Sequence, residues 1–227
     1  MTYKVLDNVT LIAVGSTQVP QTVEALKKSM QHLEFAEVKL VSHEKPQGLP
    51  EDICFESCER LNSSKEYSRY VIYNLYKHVD TDYCLLVQWD GFVINPEKWD
   101  DEFLKWDYIG APWPIKDTAY IDPFGDHIRV GNGGFTLRSK KLLEIPLCID
   151  IPFEVNEGTF YKHMNAGSYN EDGNICVHNR HLFESAGIQF APVEVAARFS
   201  QELETPETMG IVPFGFHRHY PRNAGEM

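Results

Sequence analysis

The chain has 227 residues, 43% hydrophobic and 24% charged, which is ordinary globular usage and enough for one large α/β domain with a sizeable core. Its 33 acidic against 21 basic residues give a net charge of -12, which repels nucleic acid and anionic membrane surfaces. Any phosphorylated anion must therefore be held by a local device: a divalent cation, a helix N-terminus or a few well-placed basic side chains.

The start lacks a charged segment followed by a long apolar run, and no stretch approaches the roughly 20 apolar residues of a spanning helix, so no transmembrane segment and a soluble chain are expected. Five scattered cysteines, at 54, 58, 84, 148 and 176, argue for reduced thiols and a cytoplasmic location. Cys54 and Cys58 have the spacing of neighbours on one helical face, but no second pair follows to complete a zinc site.

In chain order, Val9 to Val14 reads as a buried strand that breaks at Gly15-Ser16-Thr17. Pro20 then opens a helix with Val23, Leu26, Met30 and Leu33 at helical spacing. Val38 to Val41 is a second strand, and Ser63-Ser64-Lys65-Glu66 is a capping box opening a helix that carries Tyr67, Val71 and Leu75. Tyr83 to Val87, unbroken and apolar, predicts a strand buried on both faces that runs into Gln88-Trp89-Asp90-Gly91. Strands separated by helices imply right-handed crossovers and a mostly parallel sheet. At the C-terminal edge of such a sheet a carboxylate, here Asp90, stands where ligands bind.

The second half carries long turn-rich stretches, the usual form of binding elements. Val130-Gly131-Asn132-Gly133-Gly134-Phe135 packs three glycines into four positions, suited to unusual backbone conformation or to close approach, and equally to a bulged strand. Ser168 to Gly173 leads into a helix with Ile175, Leu182 and Ala186 that closes at Gly187. Glu171 and Asp172 fall in its first turn, where they serve either as capping charges or as a general base. Pro213 to His219 offers His217 as a partner for a carboxylate on a metal and Arg218 for a phosphate, with His219 a solvated tail residue. Trp89, Trp113 and Phe135 are candidates to stack on sugar faces or to fill the core.

Taken in order, Leu86-Val87-Gln88-Trp89-Asp90-Gly91-Phe92-Val93-Ile94-Asn95-Pro96, Trp99, Tyr108 to Trp113, Val130 to Phe135, Glu171-Asp172 and Pro213 to His217 resemble the DUF5672 family of putative glycosyltransferases, over roughly residues 60 to 217. The resemblance implies a GT-A-like, Rossmann-like fold in one domain: a mostly parallel mixed sheet flanked by helices, with a nucleotide-binding half at about 1–95 and an acceptor-binding half at about 96–227. It further implies that Gln88-Trp89-Asp90 occupies the place of the DxD motif, Asn170-Glu171-Asp172 that of the xED motif and His217 that of the C-terminal histidine. Asp90 and His217 would then hold Mn²⁺ or Mg²⁺ on a nucleotide-sugar donor, a UDP-sugar being favoured, and Asp172 or Glu171 would be the catalytic base of an inverting transfer to a glycan or other acceptor hydroxyl. Gly15, Ser16, Thr17, Ser64, Lys65 and Tyr67, with Gln88 and Trp89, are expected to contact the nucleotide. Trp113, Asn132, Gly133, Gly134 and Phe135 are expected to contact the sugar. Gln88 departs from the motif, leaving one carboxylate where two are usual. Two alternatives stand beside this reading: a non-catalytic nucleotide- or glycan-binding module of the same fold, and a metal-dependent nucleotidyltransferase or phosphohydrolase. No heptad repeat marks an oligomer interface.

Overall fold

Strand β1 (Lys4–Val14) is continuously buried from Val9 onward because it lies between two parallel neighbours and is covered on both faces. Its residues alternate between two cores. Leu11 and Ala13 join Leu85 and Val87 in one, while Ile12 and Val14 join Cys84 and Leu86 in the other. This computed structural model describes residues 4–115, 120–153 and 170–218.

Six strands form the main sheet. β2 (Leu33–Ser42) and β3 (Cys54–Ser57) extend it to one side of β1, and β4 (Tyr83–Val87) begins the other side, all parallel. β7 (Phe135–Ser139) pairs antiparallel with β4, and β6 (Tyr108–Ile109) pairs antiparallel with β7. The order is β3-β2-β1-β4-β7-β6. The chain therefore leaves β1 in one direction and returns on its other side at β4, which makes the β1/β4 edge the switch point where open α/β sheets bind ligands. A second sheet, β5 (Gly91–Val93), β9 (Gly215–His217) and β8 (Ser200–Gln201), ties the C-terminal segment to the stretch just after β4.

Helix α1 (Val19–Ser29) carries Pro20 in its first turn. It ends earlier than the apolar spacing predicts. Met30 caps it, His32 takes a left-handed φ of 66°, and Leu33 opens β2 instead of completing a helical stripe. Helix α2 (Ser64–Asn74), continued by a 3₁₀ turn, begins with the expected cap, the Ser63 hydroxyl accepting from the Glu66 amide at 3.1 Å, but the Glu66 carboxylate returns to the Asn62 amide at 2.6 Å, one residue before the cap. Cys54 and Cys58 do not share a helical face, because Cys54 opens β3 and Cys58 follows its end; all five cysteines are free.

Helix α3 (Lys140–Cys148) follows β7. The single helix expected from Glu171 to Gly187 is broken into α4 (Glu171–Gly173), a π-helical turn over Asn174–His178 and α5 (Arg180–Ser185). Gly187, at φ 80°, closes it as the sequence suggests. Helix α6 (Val193–Phe199) leads into β8. Ser168 and His219 lie outside the described residues. No helix among the described residues is long and apolar enough to cross a membrane.

Candidate active site

A cavity of about 540 Å³ opens at the C-terminal ends of β1 and β4. From the first half of the chain Gly15, Ser16, Thr17, Tyr67, Gln88 and Trp89 line it; from the second half Trp113, Gly133, Gly134, Glu171, Asp172 and His217 do. Segments as far apart in sequence as Gly15 and His217 thus meet in one pocket. The loop after β1 is held by Ser16, whose hydroxyl accepts from the Leu61 amide at 2.8 Å. Gln88 donates to the Tyr67 hydroxyl at 2.9 Å, so its side chain bridges the end of β4 to the start of α2.

Four expected contacts sit elsewhere. Phe135 is fully buried against Phe199 and Phe214, in the aromatic core rather than facing a sugar. Asn132 is also buried: its side chain accepts from the Gly134 amide at 2.9 Å and its carbonyl accepts from Tyr108 at 2.9 Å, so it shapes the loop instead of touching solvent. Lys65 turns away from the cavity and places its ammonium 6.0 Å from the centre of the Phe153 ring. Asp90 stands behind His217, not in the cavity wall. Trp113 borders the cavity, but one ring face is covered by Tyr120, stacked at 4.3 Å. Trp89, 44% exposed, is left as the open aromatic surface.

The glycine-rich loop works by close approach. A Cβ on Gly131 would stand 1.9 Å from the Trp113 ring, one on Gly133 1.8 Å from Glu171 Oε1, and one on Gly134 2.1 Å from His217 Nε2. Three site side chains therefore pack directly onto bare backbone. The left-handed residue of the loop is Asn132, with φ 71°, and not a glycine.

Glu171 and Asp172 are adjacent but do different things. Glu171 accepts from Arg138 Nη2 at 3.3 Å and from Ser68 Oγ at 3.4 Å. Arg138, wholly buried on β7, also lies 5.3 Å from the centre of the Tyr108 ring and donates to Thr136. The Glu171 carboxylate is thus committed to a buried cation. Among the described residues Asp172 accepts only from backbone, the Gly133 amide at 3.0 Å and the Gly173 amide at 2.7 Å. Burial, then the neighbouring charges of Glu171 and Glu202, push its carboxyl up to about 7.

His217 is the third element. Its imidazole lies between two carboxylates, with Nε2 3.4 Å from Asp90 Oδ1 and Nδ1 3.3 Å from Glu202 Oε1. Burial would lower its pKa, but the two carboxylates hold it up at about 9. For Asp90, burial pushes upward and the His217 and Arg218 charges pull harder the other way, so its carboxyl titrates below the usual range. The Arg218 amide also donates to the Asp90 carbonyl at 2.9 Å, strapping the tail to the turn.

A family model described as "Protein of unknown function (DUF5672)" matches residues 51–217. The chain belongs to the DUF5672 family. No curated protein matches it. Among solved structures, the DUF5672 chain is similar to an active-site mutant of LgtC, at 11% identity and a TM-score of 0.52, covering 93% of this chain and 88% of that one. It is also similar to the apo-form glycosyltransferase GlyE of Streptococcus pneumoniae, at 14% identity and a TM-score of 0.46, with coverage of 96% and 55%. A mannosyltransferase from Pyrobaculum calidifontis, in complex with GDP-Man and Mn²⁺, matches at 12% identity and a TM-score of 0.38, with coverage of 60% and 46%. The DUF5672 chain thus spans about half the length of those last two structures. Its fold, a mostly parallel six-stranded sheet flanked by helices, is of the GT-A glycosyltransferase type, as the LgtC likeness shows.

Among the described residues of the DUF5672 chain, no group of three or more His, Cys, Asp or Glu side chains could hold a metal ion by itself. A two-ligand site is another matter. Asp90 Oδ1 and His217 Nε2 are buried, neighbouring and without hydrogen bonds, the condition of donor atoms suited to a shared cation whose remaining ligands come from a bound anion. The sequence reading missed Glu202, Arg138, Ser68 and Tyr120. Only Arg138 carried a signal, as a full charge inside the otherwise uncharged strand Phe135–Ser139.

Proposed function

We propose that this DUF5672 protein is a metal-dependent glycosyltransferase that moves a sugar from a nucleoside-diphosphate donor, a UDP-sugar being favoured, to an acceptor hydroxyl with inversion. The observation that carries the reading is the convergence of Asp172 and His217 on one cavity at the β1/β4 switch point, with Asp90 Oδ1 3.4 Å from His217 Nε2. Among the residues lining that cavity, the carboxylates Glu171, Asp172 and Glu202 outnumber the cationic groups Arg218 and His217. A donor diphosphate adds more negative charge, so the pocket requires a divalent cation to accept it.

Asp90 and His217 would hold Mn²⁺ or Mg²⁺, and the cation would neutralise the charge that develops on the leaving diphosphate. Asp172 takes the proton of the acceptor hydroxyl as the acceptor oxygen bonds to the anomeric carbon. The bond from that carbon to the diphosphate oxygen breaks, and its electron pair leaves with the nucleoside diphosphate. The Gly133 and Gly173 amides keep the Asp172 carboxylate aimed without neutralising it. Glu171 is a positioning residue, since Arg138 occupies its charge. The loop Gly15-Ser16-Thr17 and the start of α2 form the nucleotide end, and Trp89 offers its open ring to a sugar face. On this reading residues 1–95 supply the donor half and the remainder supplies the acceptor half.

A panel of UDP-, GDP-, CDP- and dTDP-sugars, incubated with Mn²⁺ and pooled acceptors, tests it through release of nucleoside diphosphate. Transfer by the wild type and none by Asp172→Asn, with donor binding kept, is the expected result. Binding without release would make the protein a recognition module, and release of pyrophosphate or phosphate would make it a nucleotidyltransferase or phosphohydrolase.

A further inference from the structure

We propose that Glu202 is a positioning residue for the metal centre: it fixes the His217 ring so that Nδ1 carries the proton and Nε2 presents its lone pair beside Asp90. The inference rests on the metal-dependent reading above. It starts from the small sheet. β8 runs parallel to β9 with Ser200 beside Gly215 and Gln201 beside Phe216, so the next step along both chains carries Glu202 alongside His217. Glu202 Oε1 lies 3.3 Å from Nδ1, and the two side chains are 15% and 6% exposed.

The ring has little freedom to choose another orientation. Its edge rests on Gly134 and also on Gly91, where a Cβ would come within 3.3 Å of Cδ2. Both ring nitrogens are buried and lack a hydrogen bond of good geometry, so the facing carboxylates are the groups left to orient the ring. A neutral imidazole has one N–H and one lone pair, and a cation requires the lone pair. Once the ring is neutral, either nitrogen has a facing carboxylate to receive its N–H, Asp90 at Nε2 and Glu202 at Nδ1. A cation held by Asp90 excludes a proton from Nε2. Glu202 then receives Nδ1–H, which orients the ring and makes Nε2 a stronger donor to the metal. Nothing in the local sequence Ser200-Gln201-Glu202-Leu203-Glu204 distinguishes Glu202 from Glu204; the strand register does.

The test measures Mn²⁺ binding by electron paramagnetic resonance, with UDP and separately with GDP, on wild type, Asp90→Asn, Glu202→Ala and Glu202→Gln. Losing such an outer carboxylate typically weakens a metal site about 10- to 100-fold. Glu202→Ala is expected to fall in that range, Glu202→Gln to lose less because its amide oxygen still accepts, and Asp90→Asn to lose binding altogether. Nitrogen-15 spectra of the histidine ring with Mg²⁺ and UDP, assigned by His217→Gln, should give the Nδ1–H tautomer in wild type and a mixture in Glu202→Ala. Wild-type affinity in Glu202→Ala, or a loss that follows only its unfolded fraction with the tautomer unchanged, would overturn the role of Glu202 and leave the metal site standing. Absence of Mn²⁺ binding by the wild type would overturn the metal-dependent reading itself, and this inference with it.

Discussion

Gly134 and His217 touch so closely that a methyl group on the glycine would stand 2.1 Å from the imidazole Nε2. Gly134 has no left-handed φ, so alanine suits its backbone and the only penalty is steric. Gly134→Ala should push the ring away from Asp90, cost about 1 to 3 kcal/mol of stability and weaken Mn²⁺ binding at least roughly tenfold, as expected for a displaced ligand. Thermal unfolding and Mn²⁺ titration of the same preparation would check both effects. Affinity equal to wild type in a folded variant would refute the claim that His217 is seated by this glycine.

That contact also explains what was legible in the sequence and what was not. Three glycines in four positions allowed close approach without singling it out from a bulged strand, and their partners, Trp113, Glu171 and His217, come from other parts of the chain and follow only from the folded path. The parallel strands β1 and β4 were readable because burial on both faces removes the polar alternation, and α2 because its cap is a local hydrogen-bond pattern. The end of α1 was not, since Leu33 keeps helical spacing while the chain turns at His32 without glycine or proline. The motif places for Asp172 and His217 brought them to the cavity, whereas Asn132 and Phe135, read as sugar contacts, turned out to shape the loop and fill the core. Glycine, asparagine and aromatic residues serve structure and recognition alike, so their type alone does not separate the two.

Adjacent carboxylates in α4 should separate cleanly on mutation. Glu171→Ala leaves Arg138 buried and uncompensated, a change that typically costs about 3 to 5 kcal/mol. Gly133→Ala should mimic it more mildly, because its Cβ would stand 1.8 Å from Glu171 Oε1. Asp172→Asn should keep the fold and lower transfer by about 10²- to 10⁴-fold. Urea denaturation alongside transfer assays distinguishes these outcomes. Equal destabilisation by Glu171→Ala and Asp172→Asn would mean that the two residues share one structural role.

The raised pKa of Asp172 has a consequence for stability with a definite sign. Its folded value, about 7, lies above the ordinary 3.8, with burial the main cause and the charges of Glu171 and Glu202 next. Between those values the folded chain holds a proton that the unfolded chain has released, so this group lowers stability as pH rises through the window. The penalty is absent below about pH 4 and complete above about pH 7. In metal-free protein Asp172→Asn should therefore be more stable than wild type at pH 8, by about 1 to 3 kcal/mol, and nearly equal to it at pH 4. The same ionisation should give transfer activity an acid limb near neutrality instead of near pH 4. Denaturation curves at the two pH values decide the matter, and a difference that grows toward low pH would contradict the assignment.

Gln88 follows β4, and its amide donates to the Tyr67 hydroxyl at 2.9 Å; under the proposed function it stands where a second metal-motif carboxylate would. With two proposed protein ligands, Asp90 and His217, and no group of three or more among the described residues, Mn²⁺ alone should bind weakly and tighten when a nucleoside diphosphate supplies further oxygens. Gln88→Asp removes the bridge to Tyr67 and places a new negative charge on the cavity wall, which His217 also lines. It should strengthen binding of Mn²⁺ alone by roughly tenfold, the size of one favourable charge contact of about 1.4 kcal/mol, and reduce the dependence on nucleotide. Gln88→Glu keeps the longer side chain near Tyr67 and should gain less. Titration of each variant with Mn²⁺, with and without UDP, gives the comparison. If Gln88→Asp gains nothing over wild type, position 88 is too far from the Asp90–His217 pair for its charge to matter, and the correspondence between this turn and a metal-binding motif reduces to Asp90.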